Sequence, residues 1–98
     1  MIVVIETAQI EVLNGKENEF EVALEQAKQV LAQAKGFIDI YVHRGIERPQ
    51  VYLLALQWET LEDHTIGFRE SELFTQWRTL IGPYFANPPA VEHWDLLN

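Results

Sequence analysis

The chain has no cysteine among its 98 residues. Disulfides, CxxC redox chemistry, cysteine-held zinc and thiolate-held iron–sulfur clusters are therefore excluded. Cations are scarce: seven lysines and arginines stand against 15 acidic residues, for a formal charge of -8. Such a field repels a phosphate backbone, which argues against a nucleic-acid partner. Long apolar runs are missing as well. None reaches the roughly 18 to 20 consecutive residues that a membrane span needs. The first ten residues, MIVVIETAQI, lack a basic n-region and a small-residue cleavage site, and Glu6 interrupts their apolar run. They read as a first strand and not a signal peptide, so a cytoplasmic location is the expectation. No repeat, low-complexity tract or linker breaks the chain. With 48% hydrophobic residues it should form one domain, residues 1–98, around one modest core.

Glycine and proline number five and four, few enough to act as punctuation. Residues 2–13 are rich in β-branched side chains (Ile2, Val3, Val4, Ile5, Thr7, Ile10, Val12) and predict a strand. Asn14-Gly15 signals a turn, and Asn14 with Glu17 has capping-box spacing. Phe20, Ala23, Leu24, Ala27, Leu31 and Ala34 then recur at spacings of three and four, the apolar stripe of a helix ending near Lys35 and Gly36. Residues 37–44 and 51–58 predict two further strands joined by a hairpin loop with Pro49. Thr60 can cap a short helix with Asp63 in its first turn, and Ser71 can cap another running to about Ile81. Gly82-Pro83 ends it, and Pro88-Pro89 introduces a last strand over residues 91–97, at an edge position.

The order is β-α-β-β-α-β, the ferredoxin-like α+β pattern, an antiparallel sheet with both helices on one face. The third strand is apolar on both sides, with Val51, Leu53 and Ala55 on one and Tyr52, Leu54, Leu56 and Trp58 on the other. Helices cover one side only. A second copy of the sheet is the simplest cover for the other, so a homodimer is expected.

The run from Trp58 to Phe74, WETLEDHTIGFRESELF, together with the element order, resembles the antibiotic biosynthesis monooxygenase family. The family's pattern has a Trp ending the third strand, then a short helix, then a small or polar residue shortly before a large apolar one. Here these are Trp58, Ser71 and Phe74. The resemblance implies a dimeric α+β barrel with an apolar pocket between sheet and helices. It also implies a range of activities, including cofactor-free oxygenation of aromatic polyols and quinols, and haem degradation. The haem-degrading members' Asn, Trp and His fall at Ala8, at Gly67 or Phe68, and at Arg78, so none is present. Quinol-oxidising members carry a His at about Phe68, whereas this chain has His64 one turn earlier.

His64 is the candidate catalytic base, since a neutral imidazole can accept a proton from a phenol or enol near pH 7. The alternative is a surface His on a short acidic helix. Phe68, Phe74 and Trp77 are candidate substrate contacts, although their spacing equally suits a helix core. Arg78 can bind an acidic ligand group, and it or Arg69 can pair with the abundant Glu residues; the second is the expectation in so acidic a chain. His43 and His93 sit on strands near Asp39 and Asp95 without metal-ligand spacing, and are read as solvated. The expectation is a cofactor-independent monooxygenase for a small aromatic or quinol-type compound, with no cofactor and no metal. The rival is a non-catalytic ligand-binding or accessory dimer; an enclosed pocket touching His64 would favour the enzyme, and a filled one the accessory role.

Overall fold

A computed structural model describes residues 3–98. Strand β1 spans Val4–Glu11, helix α1 Glu17–Leu31, β2 Phe37–Arg44, β3 Val51–Trp58, helix α2 Glu72–Ile81 and β4 Ala90–Asp95. A π-helical segment, Asp63–Phe68, links β3 to α2, and a 3-10 turn, Gly82–Tyr84, follows α2. The sheet is wholly antiparallel in the order β2-β3-β1-β4. This is the expected ferredoxin-like arrangement, with β4 at an edge.

Strand periodicity decides what faces the helices. Alternate residues share a face, and in β1 the inward set is Glu6, Ala8 and Ile10, continued by Val12 just beyond the strand. In β3 it is Tyr52, Leu54, Leu56 and Trp58. The stripe of α1 meets them: Phe20, Ala23, Leu24, Ala27 and Leu31 are all buried. The Phe20 and Tyr52 rings lie 4.8 Å apart between centroids.

Several boundaries differ from the sequence reading. Ile2 lies outside the described residues, and β1 stops at Glu11, after which Val12 forms an isolated bridge with Phe85. Helix α1 begins at Glu17 after Lys16 with no side-chain cap, so the Asn14 capping box does not form. It ends at Leu31, four residues before Lys35; turn hydrogen bonds from Gln33 and Ala34 to Val30 and Leu31 tighten the exit instead. Gly36 follows with φ +81°, and a Cβ there would collide with the Asp63 side chain. Thr60 does cap, its Oγ1 accepting from the Asp63 backbone N–H at 3.1 Å. Ser71 occupies the N-cap of α2 but spends its hydroxyl on the Phe68 carbonyl at 2.7 Å. The last strand is shorter than expected and excludes Leu96 and Leu97.

The outward sheet face carries Ile5, Tyr41, Leu53 and Trp94 beside Thr7, Gln9, Gln57 and Glu92. Trp94 and Leu53 are 52% and 40% exposed. Trp94 Nε1 donates to Thr7 Oγ1 at 2.8 Å, which pins the indole against this face. Among the described residues no helix is long and apolar enough to cross a membrane.

The core sets the stability. Leu24→Ala removes a fully buried side chain from between α1 and the sheet, and should cost about 2–5 kcal/mol in urea unfolding. Ile46→Ala, at a position 90% exposed in the hairpin loop, should stay within about 0.5 kcal/mol of the parent.

Candidate active site

The inward alternation of β1 places a carboxyl under the sheet. Glu6 is only 6% exposed, and its partners are supplied by two other elements. Trp58, the buried end of β3, donates its Nε1–H to Glu6 Oε1 at 3.0 Å. His64 Nε2 stands 3.2 Å from the same oxygen. His64 Nδ1 in turn lies 2.8 Å from His93 Nε2 on β4. The result is a continuous chain, Glu6–His64–His93, that begins in the core and reaches a half-buried edge residue.

The π-helical segment aims His64 into this chain. Arg69 N–H donates to the His64 carbonyl at 3.0 Å, a five-residue closure that widens the turn. His64 and Phe68 point inward together, with near-parallel rings 6.3 Å apart. Trp58 stacks on His64 at 5.2 Å and touches Phe68 at 5.6 Å, so the imidazole is walled by aromatics and only 3% exposed.

Burial controls the protonation of both groups. It pushes the Glu6 carboxyl up to about 7, against the lowering effects of the Trp58 hydrogen bond and the Arg69 charge. It pushes His64 down to about 4, helped by the positive charges of Arg69 and His93. Burial and Arg69 lower His93 as well. Near neutral pH His64 is therefore an uncharged imidazole with one N–H, and Glu6 is the group poised to gain or lose a proton. Two arrangements satisfy the chain. With Glu6 ionised, His64 Nε2–H donates to it and Nδ1 accepts from His93 Nε2–H. With Glu6 protonated, its O–H can donate to Nε2, and His64 then donates through Nδ1.

Beside Glu6 and His64 opens a cavity of about 370 Å³. Its floor is the sheet (Ala8, Ile10, Leu54, Leu56), and its walls are Phe68, Phe74, Trp77, Ile81 and Phe85. Arg69, Arg78, Pro88, Pro89 and Val91 complete the lining. All the sequence-derived candidates converge here: His64, Phe68, Phe74, Trp77 and Arg78 line one cavity. Phe68 and Trp77 serve the core and the cavity at once. Tyr84 does not join them; it packs on Phe20.

Three expectations need correction. His64 is a buried member of a hydrogen-bonded chain and not a surface residue. His93 is not a solvated strand histidine, since register opposite Glu6 brings it onto His64. His43 does remain exposed, its Nδ1 3.1 Å from the Leu53 carbonyl oxygen. Arg69 and Arg78 pair with no carboxylate among the described residues; Arg78 lies over the rings of Phe74 and Phe85 at 5.8 and 5.4 Å. Glu6 was the residue that sequence reasoning missed. Its signal was available: it shares the face of Ala8, Ile10 and Val12, where a carboxyl must be buried. No group of three or more His, Asp or Glu side chains suited to a metal ion occurs among the described residues.

The raised Glu6 value makes a thermodynamic prediction. The folded state holds a proton that the unfolded chain releases above about 4.5, so this residue's contribution to stability is full below that pH and lost as pH rises through about 7. His64 acts oppositely, favouring the fold as pH rises from about 4 to 6.5. Above pH 6.5 the opposing contributions of His64 and His93 fade, and both histidines are present in parent and variant alike. Glu6→Gln keeps an acceptor for Trp58 but does not ionise. Its thermal midpoint should therefore fall less than the parent's between pH 6.5 and 8.5, by differential scanning calorimetry.

Comparisons with known proteins agree with this architecture. A family model for antibiotic biosynthesis monooxygenases matches residues 1–80. The uncharacterised protein YczJ of Bacillus subtilis is 39% identical over 89 residues, covering 91% of this chain and 94% of that protein. A Bordetella bronchiseptica protein classed with the antibiotic biosynthesis monooxygenases has a crystal structure that superposes with a TM-score of 0.96 at 39% identity, covering 100% of both chains. The monooxygenase from the gene ActVA-Orf6 of Streptomyces coelicolor, solved with nanaomycin D, shares the fold at a TM-score of 0.81 and 14% identity, over 99% of this chain and 89% of that one. By sequence and by fold, this chain belongs to the antibiotic biosynthesis monooxygenase family.

Proposed function

We propose that the protein is a cofactor-independent monooxygenase acting on a small aromatic or quinol-type compound. The observation that carries this reading is the convergence of an apolar, aromatic-walled cavity on a buried carboxyl–imidazole pair. A non-catalytic binding dimer needs the cavity but gives no account of two ionisable groups buried at its floor. The nanaomycin D held by the Streptomyces coelicolor monooxygenase is in keeping with a flat aromatic ligand.

In this reading the substrate enters between the sheet floor and Phe68, Phe74 and Trp77. Glu6, ionised, takes a proton from a phenolic hydroxyl, while His64, whose two nitrogens are held by Glu6 and His93, stays neutral and orients the carboxyl. Arg69, whose charge already acts on Glu6 and His64, stabilises the phenolate. The phenolate gives one electron to dioxygen, and the radical and superoxide join as a carbon–peroxide at a ring carbon bearing hydrogen. The peroxide takes back the proton held by the pair. Loss of water from the hydroperoxide leaves a carbonyl. One oxygen atom ends in the product and the other in water, and the organic substrate supplies all four electrons. The aromatic walls keep the cavity dry, which favours electron transfer and protects the anion from bulk protons.

We also propose that the protein works as a homodimer through its outward sheet face. Ile5, Tyr41, Leu53 and Trp94 make that face more apolar than a solvated one, and a second sheet packs on it without breaking two-fold symmetry.

Two measurements check these readings. Oxygen uptake with a panel of naphthalene diols and anthrones should fall roughly a hundred- to ten-thousand-fold in both His64→Ala and Glu6→Gln, while His43→Ala stays within a few-fold. Parent-level turnover in both site variants would remove the base assignment. Light scattering coupled to size exclusion should give twice the chain mass of 11.4 kDa, and a Leu53→Glu, Trp94→Glu double variant should shift it to the monomer.

A further inference from the structure

The charge of the cavity is opposite to that of the chain. The protein carries 15 acidic residues, yet Glu6 is the one carboxyl that lines this cavity. Two of the seven cations line it, Arg69 and Arg78. Among the described residues neither comes within 4.0 Å of a carboxylate, while Lys16, Lys28 and Arg44 each pair with a glutamate. At physiological salt, charges beyond roughly 8 Å are largely screened, so a ligand in the cavity meets the two guanidinium groups and not the distant negative surface.

The two arginines occupy different surroundings. Arg69 belongs to the reacting end, where its charge acts on Glu6, His64 and His93. Arg78 lies against the faces of Phe74 and Phe85, both of which also line the cavity. No carboxylate occupies its N–H groups among the described residues, and their planar fork matches the two oxygens of a carboxylate.

We propose that the compound held in this cavity is an aromatic carboxylic acid whose carboxylate is anchored by Arg78, while the ring it bears reaches the Glu6–His64 pair. This rests on the aromatic-pocket reading above and narrows it to one substrate class. The carboxylate fixes which ring carbon faces the pair, so Arg78 sets orientation as well as affinity. At about 370 Å³ the cavity is near the small end of ligand pockets, which suits a compact fused ring with one acidic substituent.

The test separates this inference from the reading beneath it. Isothermal titration with 2-naphthoate and with the isosteric 2-naphthamide needs no turnover. The naphthoate should bind about tenfold or more tighter, since a charge-assisted hydrogen bond exceeds a neutral one. Arg78→Gln should remove that preference while leaving naphthamide affinity within about twofold, and Arg78→Lys should restore only part of it. Equal binding of both compounds to the parent would overturn the carboxylate and leave the aromatic pocket standing. An equal loss of both in Arg78→Gln would likewise overturn it, showing a packing role instead. Binding of neither compound would overturn the inference together with the pocket reading.

Discussion

The hydrogen bond from Trp58 to Glu6 governs the rest of the site. A carboxyl on the inward face of a central strand is costly to bury, and it persists because its charged form, when present, has donors around it. Trp58 supplies one from the end of β3, and His64 can supply another from the π-helical segment. The cost is not fully offset, which is why the carboxyl titrates near neutrality and not in the ordinary carboxylate range. The same desolvation that raises Glu6 lowers His64, so the usual order of the two groups is reversed and the proton is held by the carboxyl while the imidazole stays neutral. Their shifted protonation is a by-product of incomplete compensation in an otherwise apolar core.

The aromatic side chains extend this effect outward. Trp58 contacts Phe37, His64 and Phe68, and Phe68 contacts Phe74 and Trp77. One connected set of rings therefore joins the hydrophobic core to the cavity wall. Packing and function are not separable in such a set: the rings that exclude water from Glu6 are the ones a flat ligand would lie against. This explains why the spacing of Phe68, Phe74 and Trp77 reads equally well as core and as binding surface. The same rings pack on the core and line the cavity.

Much of the fold was legible because its signals are local. The second and third strands are bounded by Gly36, Gly45 and Trp58, and their observed limits coincide with the predicted ones. The end of α1 was not legible, since Ala32 to Lys35 have good helix propensity and the turn is imposed by the path into β2 and by Gly36 packing on Asp63. Cavity-lining residues within the Trp58 to Phe74 run were legible because they lie close in sequence. Glu6 and His93 were missed as partners because they are joined only by strand register. A histidine on an edge strand looks solvated until the pairing that sets it opposite a buried carboxyl is known. The absence of a Glu or Asp partner for Arg69 and Arg78 among the described residues was also invisible, because composition predicts the average partner and not the local one.

The π-helical turn fixes the frame of everything after it. An α-helical residue advances about 100° around the axis, so the extra residue in this turn sets the phase of the residues that follow. Removing one residue between Asp63 and Phe68 would restore an ordinary turn and leave the helix intact, yet it would rotate Phe68 and Arg69 by roughly that angle relative to His64. A chain shortened in this way could keep its sheet, its hydrophobic stripe and its overall outline while its cavity lost both a wall and a charge. A chain one residue shorter in this segment would therefore carry a pocket of unlike chemistry on the same fold.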